Sequence, residues 1–381
     1  MTAERPLGRP RTLEEAKTWM RERVDARQHP MNLADPTILH PIIDGLKGLD
    51  GATWAAAWGA AAGRMGAQAQ AARVAGDTGT AAAKFLQAHG LYFLGRFPSP
   101  NHPAKMENHR LERETYLEAA RYFEVPTERV SVPFPGRAGE GDQVIFLYRR
   151  PLGIERPPVV LLWGGVDAWK EQLTGTSNAL LNLGIATVAM DGPGTGESPV
   201  RGVPDAERQF VPVLDWVAAR PELRGRRVGC LGRSFGGYWA TKLAHLYPDR
   251  IAGAVSWGGG AHFMFQREWI AASRYPDSYL MELVETRMLM LGATTDEEYL
   301  AFFERLSLLD QGLLDKPCAP LLLVNGKEDR QCPIADIHLL IEHGSPKHVR
   351  LFPGGHMGHT PLTVPTIVQW LSQQVAIRGD A

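Results

Sequence analysis

The sequence predicts an α/β protein in which a mostly parallel sheet is flanked by helices and preceded by a helical domain. Three observations lead to this prediction. Residues 12–123 carry apolar residues at helical spacing, residues 128–376 alternate strand-like apolar runs with helical segments, and residues 262–315 interrupt that alternation. Strands that alternate with helices pair in parallel. We therefore predict a helical N-terminal domain over residues 1–127 and a second domain over residues 128–381, with a helical lid inserted at about 262–315.

The N-terminal part shows helix signals and no strand alternation. Thr12 and Glu15 form a capping box, in which each side chain satisfies a free backbone amide of the other residue. Trp54 and Trp58 lie four residues apart in an Ala-rich run over 52–72, so they share one helix face. A further helix is predicted over 107–123.

The second part predicts strands and helices in alternation. The run over 159–163 is apolar throughout, which is typical of a strand buried on both faces. Strands are predicted at 130–134, 144–148, 159–163, 185–190, 227–231, 251–257, 320–324 and 349–352. Helices are predicted at 207–219, 235–246, 334–341 and 363–376, and another one closes at Gly184.

Composition excludes several classes of protein. The 381 residues contain 41 Lys and Arg against 42 Asp and Glu, which argues against a basic nucleic-acid surface or a polybasic membrane anchor. No apolar run approaches a membrane span, and the residues at the N-terminus lead us to expect no secretory signal. Three cysteines, Cys230, Cys318 and Cys332, cannot form a disulfide framework, so we expect free thiols and a cytoplasmic protein. No complete nucleotide, zinc or calcium motif occurs, so we expect no cofactor and no metal.

A candidate nucleophile lies in Gly232-Arg233-Ser234-Phe235-Gly236, between a predicted strand and a predicted helix. A nucleophilic Ser in that position needs a tight, strained turn, and small residues two positions away on either side let the backbone pass closely. The helix that follows directs its amide dipoles toward the site.

The base and the acid follow later in the chain, as expected for a Ser in such a turn. Asp329 follows a predicted strand and lies before Pro333, which favours it over the adjacent Glu328. His356 comes directly after two glycines that follow the last strand, and His359 is the alternative. Ser, His and Asp together make a hydroxyl nucleophilic, because the base removes its proton and the acid fixes the base.

Backbone amides near the nucleophile should stabilise a negative oxygen. The Phe235 amide, directly after Ser234, is the first expected donor, and Gly165 or Val166 supplies the second. We expect the neighbouring Asp167, Lys170 and Glu171 to cap a helix and pair at the surface. Trp257, His262 and Val166 are candidates for lining the substrate pocket, and aromatic and Met-rich helices nearby suit an apolar or aromatic small molecule.

Residues from about 128 to 376 resemble the α/β-hydrolase superfamily. The motifs around Gly164–Glu171, 191–198, 232–237 and 256–259 are similar to a narrower group. That group holds 2,6-dihydroxypseudooxynicotine hydrolase, fungal polyketide-shortening hydrolases and proteins like the fermentation–respiration switch protein. The resemblance implies Ser234, Asp329 and His356 as a catalytic triad, an α/β-hydrolase fold with the two domains meeting over the pocket, and a homodimer.

These observations favour a cofactor-independent serine hydrolase that acts on a carbonyl substrate through an acyl-enzyme. The resemblance favours cleavage of a carbon–carbon bond in an aromatic ketone or 1,3-diketone. The alternatives are a carboxylesterase, an acyl transferase and, from another class, a ligand-binding protein without catalytic activity.

Overall fold

The computed structural model describes residues 8–378, and the chain divides into two compact units. The first comprises the residues up to Thr127 together with Tyr279–Thr286. The second comprises Glu128–Ser278 together with the residues from Arg287 onward.

The first unit is helical in the part that the structure describes before residue 128. Its helices are α1 (Leu13–Asp25), α2 (Pro36–Gly45), α3 (Gly51–Val74), α4 (Thr78–Arg96) and α5 (Pro103–Ala120). The Thr12–Glu15 capping box is present at the start of α1. Trp54 and Trp58 are fully buried with ring centroids 5.5 Å apart, so they form core, as their helical spacing predicts.

The second unit contains an eight-stranded sheet. Its strands are β1 (Glu128–Pro133), β2 (Gln143–Arg149), β3 (Pro158–Trp163), β4 (Ala186–Met190), β5 (Arg224–Arg233), β6 (Ile251–Trp257), β7 (Leu321–Gly326) and β8 (His348–Phe352). Their order is β1-β2-β4-β3-β5-β6-β7-β8. β1 and β2 pair antiparallel, β2 pairs antiparallel with β4, and the remaining pairs are parallel. The predicted α/β class with a mostly parallel sheet is confirmed.

Helices cover this sheet and fill its connections. They are α6 (Thr174–Leu181), α7 (Phe210–Ala218), α8 (Gly236–Leu246), α9 (Arg267–Ala272), α10 (Leu283–Leu291), α11 (Asp296–Glu304), α12 (Ile334–Glu342) and α13 (Thr363–Arg378). The segment predicted as a helical insertion contains α9, α10 and α11. At Gly229 in β5, a Cβ atom would lie 3.0 Å from Val375 of α13, so the glycine lets that helix pack closely on the sheet.

The parallel strands bring distant parts of the chain to one edge. β3, β5, β7 and β8 run in the same direction, so the loops after Trp163, Arg233, Gly326 and Phe352 all leave the same side of the sheet. In open α/β sheets ligands bind at this carboxyl edge. The fold therefore places every predicted triad residue at one edge.

Two further predictions concern the whole chain. Within residues 8–378, no helix is both long enough and apolar enough to cross a bilayer. The three cysteines are free thiols, as predicted, with Cys230 and Cys332 buried and Cys318 partly exposed.

Candidate active site

Ser234 lies in a strained turn directly after β5. Its φ angle is 53°, in the left-handed region that residues with a side chain rarely adopt. A Cβ atom at Gly232 would lie 2.0 Å from the Gly236 carbonyl oxygen, and one at Gly236 would lie 2.3 Å from the Gly164 carbonyl oxygen. The Ser234 N–H donates to the Trp257 carbonyl at 2.7 Å, which fixes the turn against β6. Only glycines fit at the positions two residues before and two residues after this serine.

A continuous hydrogen-bond chain joins Ser234 to a histidine and an aspartate. Ser234 Oγ lies 2.7 Å from His356 Nε2, and His356 Nδ1 lies 2.8 Å from Asp329 Oδ2. The Asp329 side chain is fully buried, and the His356 side chain is 13% exposed. The structure thus brings together three residues that are far apart in sequence.

Asp329 is held as a carboxylate by its surroundings. Its Oδ1 accepts from the backbone amides of Gln331 at 2.7 Å and Cys332 at 3.1 Å, and its Oδ2 accepts from Asn325 Nδ2 at 2.8 Å. Burial works to raise the pKa of Asp329, but the His356 charge and these hydrogen bonds outweigh burial and hold the pKa below its ordinary value. The carboxylate can therefore orient His356 and stabilise its protonated form.

Asn325 and Trp257 fix the loop that carries His356. Met357, the next residue, has a φ angle of 67°. Its N–H donates to Asn325 Oδ1 at 2.9 Å, and its carbonyl accepts from Trp257 Nε1 at 2.6 Å. Asn325 was not singled out from the sequence, and its position as the fifth residue of β7, just before the acid loop, is the signal that could have pointed to it.

The competing acid and base point elsewhere. Glu328 is exposed, and its backbone N–H donates to the Gly354 carbonyl at 2.9 Å. The His359 ring packs against the Trp257 ring, with centroids 5.3 Å apart. The hydrogen-bond chain from Ser234 therefore includes Asp329 and His356, and not their alternatives Glu328 and His359.

The loop after β3 passes close to Ser234. A Cβ atom at Gly165 would lie 2.8 Å from Ser234 Cβ and 3.1 Å from Ser234 Oγ, so the Gly165 backbone lies against the nucleophile. Val166 is 6% exposed, and its carbonyl accepts from Trp169 Nε1 at 3.2 Å. Phe235 directly precedes α8, at the helix end where the first N–H groups lack intrahelical acceptors.

A buried ionic cluster anchors the far end of this loop. Lys170 Nζ lies 2.6 Å from Asp191 Oδ2, 2.9 Å from Glu197 Oε2 and 3.1 Å from Glu171 Oε1. The expectation that Lys170 and Glu171 form surface pairs is wrong, because they are only 1% and 4% exposed. Burial works to lower the pKa of Lys170, but the three carboxylates raise it well above its usual range.

The predicted pocket residue His262 has other partners. Its Nδ1 lies 2.7 Å from Ser307 Oγ, and its backbone N–H donates to Asp336 Oδ1 at 2.8 Å. Asp336 is fully buried and also accepts from the N–H groups of Phe263 and Met264. The structure thus engages His262 in fixing the turn after β6 and does not join it to the Ser234 chain.

The described residues contain one group of side chains with metal-binding chemistry. Potential ligand atoms of Asp329, Cys332 and His356 all lie within 4.8 Å of one another. His356 Nδ1 and Asp329 Oδ2 are already hydrogen-bonded to each other, so an ion there would displace that bond. Two members of this group, Asp329 and His356, belong to the Ser–His–Asp chain.

The fold is of the α/β-hydrolase type, and the proteins to which this chain is similar include esterases and hydrolases. The chain belongs to the FrsA-like esterase family, whose model matches residues 34–365. The resemblance read from the sequence motifs is confirmed.

Two curated relatives illustrate the similarity. The 2,6-dihydropseudooxynicotine hydrolase of Paenarthrobacter nicotinovorans is 34% identical over 148 residues, which cover 38% of this chain and 39% of that protein. The esterase FrsA of Pectobacterium atrosepticum is 27% identical over 305 residues, which cover 79% of this chain and 71% of that protein. The match to the first relative therefore spans well under half of its own length.

Solved structures show the same fold. The 2,6-dihydroxy-pseudo-oxynicotine hydrolase matches with a TM-score of 0.77 at 23% identity, over 94% of this chain and 96% of its own. AbyA5 matches with a TM-score of 0.73 at 24% identity, over 97% of this chain and 99% of its own.

Proposed function

We propose that this protein is a serine hydrolase in which Ser234, His356 and Asp329 form a catalytic triad. The hydrogen-bond chain of 2.7 Å and 2.8 Å from Ser234 Oγ through His356 to Asp329 carries the proposal. A hydroxyl becomes nucleophilic when a base within hydrogen-bond reach accepts its proton, and a carboxylate on the far nitrogen fixes the base.

The reaction begins when His356 Nε2 accepts the Ser234 proton and Oγ attacks the substrate carbonyl carbon. Asp329 stabilises the imidazolium that forms. The tetrahedral intermediate collapses, His356 donates the proton to the leaving group, and the acyl group stays on Ser234. Water then attacks the acyl-enzyme with His356 as base, which releases the acid and restores the serine.

Backbone amides stabilise the oxyanion of both tetrahedral intermediates. We assign one donor to the N–H of Phe235 and the other to the N–H of Gly165, with Val166 as the alternative second donor. The close approach of Gly165 to Ser234 supports this assignment. One such donor is worth about 2.7–4 kcal/mol of transition-state stabilisation in a well-studied serine hydrolase.

The surroundings of Phe235 favour an apolar or aromatic substrate. Its ring stacks on Phe303, with centroids 5.9 Å apart and planes at 29°. Phe265 and Tyr238 pack at 6.3 Å and 5.8 Å from the same ring. These buried rings make the core behind the nucleophile turn apolar, and this character supports an aryl or long acyl group in the substrate.

Two bond types suit this triad, and a different finding favours each of them. Family membership favours an ester, with an alcohol as leaving group. The relative from Paenarthrobacter favours the cleavage of a carbon–carbon bond in an aromatic ketone or 1,3-diketone. In that case His356 would protonate a carbanion or enolate leaving group.

Parallel assays of aryl esters and aryl 1,3-diketones test the proposal. We expect a burst of one product equivalent per enzyme with the better class, followed by slower steady turnover as the acyl-enzyme hydrolyses. Ser234→Ala should lose both phases and keep the wild-type melting temperature. Steady turnover by Ser234→Ala would contradict the assigned nucleophile, whereas no turnover of either substrate class by wild type would favour the ligand-binding alternative.

We also propose that the protein acts as a homodimer, on the strength of the family resemblance alone. Light scattering at several protein concentrations tests this assignment. A mass of twice the monomer value is expected, and a monomer mass at assay concentration would contradict it.

A further inference from the structure

Arg287 on α10 is a buried cation without a counter-charge. It is only 3% exposed, and its Nε is buried without an acceptor. Within residues 8–378 it forms no ion pair, and its sole hydrogen bond, from Nη1 to the Tyr299 hydroxyl, is long at 3.5 Å. A guanidinium has five donors, so this group is far from satisfied. Buried charges are ordinarily paired, because desolvation is costly.

Two other buried cations of the second unit are paired with carboxylates, whereas the buried Arg149 donates to the Ser177 and Asn178 side chains. Lys170 faces three carboxylates, the nearest at 2.6 Å. Lys242 lies 3.1 Å from Glu207 and is 3% exposed. Arg287 thus differs from these three cations, which have closer ionic or hydrogen-bond partners.

The contacts of Arg287 connect it to the nucleophile turn. Its guanidinium carbon lies 5.2 Å from the centroid of the Phe303 ring, over which it sits. Phe303 in turn stacks on Phe235, the residue that follows Ser234. A cation–π contact does not use the N–H groups of the guanidinium, and in Arg287 these make only the long hydrogen bond to Tyr299 among the described residues.

A second connection runs to the acid loop. Burial raises the pKa of the Cys332 thiol well above its ordinary value, the Asp329 charge adds to this effect, and the Arg287 charge opposes it. Arg287 therefore lies within electrostatic range of Cys332, whose N–H donates to Asp329 Oδ1. The guanidinium thus lies near the nucleophile turn, through Phe303, and near the acid loop, through Cys332.

We propose that Arg287 binds a carboxylate of the substrate, so that the hydrolase acts on acidic acyl compounds. This inference rests on the proposed serine hydrolase function and names its substrate class. The planar fork of Arg matches the two oxygens of a carboxylate, and the substrate supplies the counter-charge that the described protein lacks.

A pair of activated esters tests this specificity. p-Nitrophenyl hydrogen glutarate carries a free carboxylate, whereas p-nitrophenyl valerate ends in a methyl group at similar length. We expect wild type to prefer the acidic ester by about 10- to 100-fold in kcat/KM, the range of a charge-assisted hydrogen bond. Arg287→Met should bring the ratio near one by slowing only the acidic ester, and Arg287→Lys should lie between.

Arg267→Met is the matched control, because Arg267 is exposed and pairs with Glu304 at 2.6 Å. It should keep the wild-type ratio. A wild-type ratio near one, or an unchanged ratio in Arg287→Met, would overturn the inference while leaving the hydrolase proposal intact. If neither these esters nor an aryl 1,3-diketone acylates Ser234, the hydrolase proposal fails instead.

Ligand binding gives a readout that is independent of turnover. In the Ser234→Ala background, calorimetry should detect glutarate binding that valeramide does not reproduce. Arg287→Met in that background should weaken glutarate binding by about 10-fold or more. If Arg287→Met fails to fold, Arg287→Lys in the Ser234→Ala background takes its place in the titration. The proposal is overturned if this double variant binds glutarate as tightly as Ser234→Ala does. It is also overturned if Ser234→Ala binds no glutarate.

Discussion

Asn325 Nδ2 donates to Asp329 Oδ2 at 2.8 Å, and the same oxygen lies 2.8 Å from His356 Nδ1. The other atom of the Asn325 amide, Oδ1, accepts from the N–H of Met357, the residue after His356. One buried side chain at the end of β7 thereby orients both the acid and the loop of the base. Asn325 acts through these residues, so it is a positioning residue.

Asn325→Leu should slow the enzyme and destabilise it. The substitution removes a donor from Asp329 and leaves the Met357 amide without its acceptor. We expect a fall in kcat of about tenfold and a loss of about 2 kcal/mol in unfolding free energy. The acidic limb of the pH profile should move to higher pH, because the Asn325 hydrogen bond lowers the pKa of Asp329. Asn182→Ala at an exposed position is the control, and an unchanged pH profile in Asn325→Leu would contradict the role.

Gly165→Ala should block the site without unfolding the protein. The new methyl would lie 2.8 Å from Ser234 Cβ and 3.1 Å from Oγ, which displaces either the nucleophile or the oxyanion loop. We expect kcat to fall by about 100-fold, comparable to the loss of one oxyanion donor. Gly175→Ala is matched to it, because nothing lies within 4 Å of a Cβ at that helical position. Wild-type kcat in Gly165→Ala would refute the close approach.

Lys170→Met should destabilise the fold severely. It leaves the buried carboxylates of Asp191 and Glu171 without the cation that neutralises them, while Glu197 keeps its ion pair with Arg129. The expected loss in unfolding free energy is about 3–5 kcal/mol by chemical denaturation. Adding Asp191→Asn should recover part of that loss, because one unpaired charge disappears. Lys47→Met, at an exposed lysine, is the control. If Lys170→Met loses no more unfolding free energy than this control, the ionic cluster does not anchor the loop after β3.

Asp329 should make stability depend on pH at the acid end. Its pKa in the folded chain lies below the ordinary carboxyl value, because the His356 charge and its hydrogen bonds outweigh burial. Such a group stabilises the fold above about pH 4 and loses this contribution as pH falls through its lowered pKa. Asp329→Asn should therefore lose less unfolding free energy than wild type between about pH 5 and about pH 3. If Asp329→Asn loses as much unfolding free energy over this pH range as the exposed control Asp249→Asn, Asp329 does not contribute to the pH dependence.

The sequence predicted those parts of the fold in which burial or close packing restricts the types of residues that are adjacent in sequence. β3 lies inside the sheet between β4 and β5, so every position in it is apolar, and the run stands out. The Ser234 turn also has a local signature, because its φ angle and the close backbone contacts require Gly232 and Gly236. Both features depend only on residues adjacent in sequence.

The contacts that local pattern could not predict depend on strand pairing. Lys170 was expected at the surface, since charges at the start of a helix usually lie there. The parallel register places Trp163 beside Met190, so the loops after β3 and β4 meet and Asp191 reaches Lys170. Asn325 likewise meets Met357 only because β7 pairs with β8.

Covalent labelling by a fluorophosphonate tests the central claim most directly. The reagent needs a serine made nucleophilic by its neighbours, and intact-mass measurement counts the adducts. We predict one adduct per wild-type chain, mapped to the peptide that contains Ser234, and none on Ser234→Ala. A folded wild-type chain that stays unlabelled, or equal labelling of Ser234→Ala, would contradict the account.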